Sequence, residues 1–64
     1  MKAGDKVKLV SRVGLYQPNS EGVVDSTPTS STVNVSITKD SSGDVVSPPD
    51  PLPPISNSKV KVIE

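Results

Sequence analysis

Histidine and cysteine are both absent from this sequence, so any chemistry falls to carboxylates, hydroxyls, amines and one phenol. Histidine is the usual proton carrier near neutral pH and the commonest metal ligand. Cysteine would supply the thiolate that serves both as nucleophile and as soft ligand. The acidic residues Asp5, Glu21, Asp25, Asp40, Asp44, Asp50 and Glu64 are scattered, mostly in turn-rich sequence. Asp40-Ser41-Ser42-Gly43-Asp44 has the outline of a calcium loop, but it lacks that loop's ligand count and its closing bidentate glutamate. It reads as a turn. No serine has a base to activate it, and no Ser-x-x-Lys lies in helical sequence. These residues predict a protein that is not an enzyme, with no catalytic site, no cofactor and no metal.

What remains is suited to binding. Lys6 and Lys8 near one end and Lys59 and Lys61 near the other alternate with aliphatic residues. If the two runs pair, their ammonium groups crowd one basic face that could meet phosphates or an acidic partner surface. The plainer reading is a solvated face whose lysines keep strand edges from pairing with other chains. Like charges set directly opposite are unfavourable, so an acidic neighbour, Asp5 or Glu64, is expected between them.

The second binding candidate is the run Pro48-Pro49-Asp50-Pro51-Leu52-Pro53-Pro54, which satisfies PxxP twice. It fits a ligand for an SH3 or WW groove, a rigid crossover in polyproline II conformation that protects an edge, or an arm laid on a neighbouring subunit. Proline has no ladder N–H, so the run is excluded from a central strand. Leu52 and Ile55 are expected to tack it to the body. Pro48, Pro49, Pro51, Leu52 and Pro53, with Tyr16 as the sole aromatic, are the residues expected to face a protein partner.

The elements that must position these residues are strands. The apolar set is dominated by valine, whose stiff β-branched side chain packs well on a pleated surface. Strict alternation places Val7 and Leu9 inward in a first strand over about Asp5–Ser11, and Val33, Val35 and Ile37 inward in Thr32–Lys39. Glu21-Gly22-Val23-Val24-Asp25 is a further strand, in which Gly22 signals a bulge or a close backbone approach. Arg12–Glu21 is a loop from which Val13, Leu15 and Tyr16 fold back to cover one end. Asp40–Gly43 is a hairpin loop, and Asp44–Ser47 resumes the partner strand. Ser56–Ser58 turns the chain into a last strand, and no stretch shows helical spacing over three turns.

Length and charge bound the rest. A chain of 64 residues is one domain, 1–64, and buries only about 60% of the surface its unfolded form exposes. Seven basic and seven acidic residues cancel, so net charge supplies no long-range pull toward nucleic acid or anionic membrane. No apolar run approaches the ~20 residues that span a bilayer, and the start shows no secretory pattern. The expected state is soluble, in the cytoplasm or in a virion. Asn34-Val35-Ser36 is read as a chance glycosylation match.

The order strand, long loop, Gly-containing strand, hairpin, irregular turn, short final strand resembles the SH3-like barrel family, in particular its KOW-type members. The residues that carry this are Gly4-Asp5-Lys6-Val7-Lys8-Leu9-Val10, Glu21-Gly22-Val23-Val24 and Ser58-Lys59-Val60-Lys61-Val62-Ile63. The resemblance implies an all-β fold, a small barrel of about five antiparallel strands with a proline-rich crossover. KOW-type modules of ribosomal or transcription machinery carry a basic excess that is missing here. Barrels of the photosystem accessory-subunit and ferredoxin–thioredoxin reductase variable-chain kind are similar in length and opening strand, and dock without chemistry. SH3 domains proper use a groove of aromatics, which Tyr16 alone cannot supply. The expectation is therefore a structural or docking module attached to a larger assembly, either as a virion cement or decoration protein or as an accessory subunit. A homo-oligomer is left open, and the rival is a KOW-like nucleic-acid module using the lysine face.

Overall fold

The computed structural model describes residues 1–63. They form β1 (Lys6–Leu9), β2 (Glu21–Ser26), β3 (Thr32–Lys39), β4 (Val45–Pro51), β5 (Ile55–Ser56), a 3-10 turn η1 (Asn57–Lys59) and β6 (Val60–Val62). All strand pairs are antiparallel, in one six-stranded sheet of order β4-β3-β2-β1-β6, with β5 paired to the start of β3. The path stays open between β4 and β6, so a closed barrel of about five strands is replaced by an open sheet of six. No α-helix occurs among the described residues.

Alternation explains the core. Val7 and Leu9 of β1, Val24 of β2, Val33, Val35 and Ile37 of β3 and Val60 of β6 turn inward, joined by Val13 from the loop. Tyr16, Val46, Leu52 and Ile55 pack against this cluster while remaining partly exposed. Each fully buried aliphatic side chain contributes about 1.5–3 kcal/mol through removal of apolar surface from water.

Gly22 is required where β2 crosses β3. A Cβ at this position would lie 2.5 Å from the Ser36 carbonyl oxygen and 2.8 Å from Val35 Cγ1. The β2–β3 register shifts between Glu21 and Gly22 at the same place, so both features expected of this glycine are present.

Other boundaries and surfaces differ from expectation. β4 does not stop at Ser47; it runs through Pro48, Pro49 and Pro51, with Ile37 opposite Asp50 and Ser36 opposite Pro51. The Leu52 amide still donates to the Val35 carbonyl at 2.8 Å. Antiparallel ladder bonds alternate, so the backbone of 50 and 52 faces β3 while position 51, which needs no donor, accepts proline. Pro48 and Pro49 fall where the register shifts between the pairs Ile37–Asp50 and Lys39–Val45. The prolines sit in an edge strand, the place in a sheet that tolerates them.

Leu15 does not cover an end of the sheet. Val13 and Tyr16 exchange backbone hydrogen bonds of 2.9 Å, closing a two-residue turn with Gly14 at φ +57° and Leu15 at its tip, 91% exposed. The return of this loop is fixed by Ser20, which is fully buried; its hydroxyl donates to the Gln17 carbonyl at 2.9 Å and its own carbonyl accepts from the Leu9 amide. The 40–44 hairpin closes on Asp40, whose Oδ1 accepts from the Ser42 amide, the Ser42 hydroxyl and the Asp44 amide. The Ser42 hydroxyl bond is the main reason this carboxyl is held below the usual carboxylate range. That spends Oδ1 on a turn, as the sequence implies.

Candidate functional site

The proline run and Tyr16, far apart in sequence, meet in space. The Tyr16 hydroxyl donates to Asp50 Oδ2 at 2.6 Å. This bond holds the phenol's pKa above its ordinary value; burial and the negative charges of Asp50 and Asp40 act in the same direction. The 13–16 turn is thereby latched to edge strand β4. Pro48, Pro49, Pro51 and Pro53 stay exposed around the latch, whereas Leu52 turns toward the core, where it packs as a tack. Of the residues expected to face a partner, Leu52 is thus largely used inside.

Asp50 is the residue the sequence reading missed. Within Pro49-Asp50-Pro51 it looks like a turn acid, and its partner lies 34 positions away. Leu15 and Val45 are likewise strongly exposed apolar residues, Leu15 in a loop expected to fold back over one end and Val45 in the expected partner strand.

The terminal strands do pair: β1 and β6 set Val7 opposite Val62, Lys8 opposite Lys61 and Leu9 opposite Val60. Lys6, Lys8 and Lys61 therefore share the outer face of adjacent strands, with Lys59 at the end of η1. Two acids, Asp5 and Glu64, are expected among them. Asp5 Oδ2 accepts from the Lys2 amide at 2.9 Å, and Glu64 lies outside the described residues. Glu21 also borders this face, opposite Lys8 on the β1 side and opposite Lys39 on the β3 side. A shallow depression there is lined by Lys6, Glu21, Gly22, Val23, Thr38 and Lys39. The face is basic toward β6 and mixed toward β3.

Among the described residues no group of histidine, cysteine, aspartate and glutamate is gathered as a metal site would need. No helix of these residues is long and apolar enough to cross a membrane. Comparison with protein-family models, with curated proteins and with solved structures gives no match.

Proposed function

We propose that this chain is a non-enzymatic structural or docking module, a small subunit of the SH3-like kind that attaches to a larger protein assembly. The observation that carries this reading is the latch between Tyr16 and Asp50, which fixes a ridge of exposed prolines on an edge strand. Rigid apolar rings held in place lose little entropy on docking, which is how preorganisation raises affinity. Both an accessory subunit of a complex and a cement or decoration protein of a virion would use such a ridge, in a soluble setting without membrane contact. Photo-crosslinkers placed at Pro49 and, as control, at Ser42 test it in the native source. A discrete adduct with one assembly component from position 49, absent from position 42, is expected; equal, diffuse labelling from both would refute the proline ridge as the docking surface.

The nucleic-acid reading stands second, favoured by the Lys8–Lys61 pairing and weakened by Glu21 beside it. It requires an affinity for RNA or DNA that falls steeply with salt and that Lys8→Glu with Lys61→Glu removes.

A further inference from the structure

We infer that the outer edge of β6 is a strand-addition site for an extended partner segment in which acidic and aliphatic residues alternate. The proposal goes beyond the proline ridge and uses the opposite end of the sheet.

The backbone comes first. The amides of Val10 and Ile63 donate to the carbonyls of Lys59 and Lys6 at 2.9 Å each, and Lys8 stands opposite Lys61. Hydrogen-bonded positions alternate along an antiparallel pair, so residues 59, 61 and 63 turn their backbone toward β1. Residues 60 and 62 turn theirs away. The Val60 amide closes η1 by donating to the Asn57 carbonyl. The N–H and C=O of Val62 and the C=O of Val60 are left along the outer edge, and no described strand lies beyond β6.

The side chains then specify what would lie there. On the core side Val62 stands opposite the fully buried Val7 yet is itself 39% exposed, so the core is uncovered at this margin. On the other side Lys61 projects outward, with Lys8 next to it and Lys59 one step along the chain. A strand added at the usual spacing of about 4.8 Å places alternate residues on these two sides. Aliphatic side chains would complete the cover over Val62, and carboxylates would meet Lys61 and Lys59. A second copy of this chain fits worse, because a pairing centred on Lys61 sets lysine against lysine. The charge that repels a copy selects a partner of opposite sign. This is backbone-driven recognition with side-chain selection, the general logic of strand addition.

The probe is a short peptide alternating glutamate and valine, titrated into the 15N-labelled full chain, beside a scrambled peptide of the same composition. Expected are shifts and slowed exchange concentrated at the amides of Val62 and its neighbours, with the scrambled peptide at least about tenfold weaker. Val62→Pro should abolish binding, because by register it removes only an outward donor. N-methylating alternate amides of the peptide should do the same without altering the protein, which keeps the test valid if that variant unfolds. Lys61→Glu should weaken binding about tenfold or more, and Tyr16→Phe should leave it unchanged, which separates this site from the proline ridge. Equal binding of the scrambled peptide, shifts centred on β4, no binding at millimolar peptide, or a dimer formed through β6 in the absence of peptide would each overturn the proposal.

Discussion

Strands β4 and β6 bound the same sheet, yet β4 carries prolines where β6 carries lysine and valine. At β4 the inward-facing backbone of 50 and 52 is matched to β3, and Pro51 between them offers no N–H to anything beyond. A further strand finds a missing donor there. At β6 the donor of Val62 is retained, and a second copy paired about Lys61 would set like charge against like charge. An edge blocked by proline can present only side chains, and an edge guarded by charge can still present its backbone to a partner of opposite charge. The molecule therefore has two surfaces of different kinds, held apart by β1, β2 and β3.

The largest effect should come from the junction that both edges share. Gly22→Ala drives a methyl group against the Ser36 carbonyl, a backbone atom that cannot rotate away. Such overpacking costs about 1–3 kcal/mol, a large part of the stability of a domain this small. Urea unfolding should show a clearly lower midpoint, and hydrogen exchange should speed up at β4 and β6 together. Unchanged midpoint, or faster exchange at one edge alone, would show that the edges do not depend on one crossing.

A smaller but more selective change is Pro51→Thr. It restores an N–H facing away from β3, opposite Ser36, without touching the ladder bond at Leu52. The β4 edge then resembles β6 without its lysines, so concentration-dependent association is expected in sedimentation velocity. Stability should fall by about 0.4–1 kcal/mol as the unfolded chain regains freedom. A variant that stays monomeric across the concentration range would show that proline is not what protects this edge.

How much of this was legible in the sequence follows from how local each cause is. The alternation in β1 and β3 and the need for Gly22 are local, and the structure places these residues as the pattern requires. The extension of β4 through the prolines is not legible, because a proline barred from a central strand can still enter an edge strand at positions where no ladder bond is required of it. Register decides which positions those are, and register depends on β3. Leu15 was assigned to cover the core from hydrophobicity alone, whereas the Val13–Tyr16 turn carries it to the tip. Lys59, placed in the last strand by alternation, belongs to η1 because Ser56 caps that turn, accepting from the Ser58 amide. The Tyr16–Asp50 bond had no local signal, since neither residue's neighbours announce the other.

The smallest expected effect is the titration of that latch, and it discriminates between the edges most sharply. Tyr16 is the only aromatic residue, so phenolate absorbance reports it alone. Its hydroxyl bond to Asp50, burial, and the charges of Asp50 and Asp40 all favour the protonated phenol, so its folded pKa lies above the unfolded value of about 10. A group raised in this way contributes stability that is fully present below the unfolded value and is lost as pH rises through the folded one. Alkaline titration of the native chain should therefore run later than in urea, and Asp50→Asn should bring the native curve closer to the unfolded one, leaving the smaller displacement due to burial and Asp40. Val62→Pro, at the far edge, should leave the native curve where it was. If Asp50→Asn does not move the curve, the 13–16 turn is not latched to β4; if Val62→Pro moves it, the two edges are coupled and cannot serve as separate surfaces.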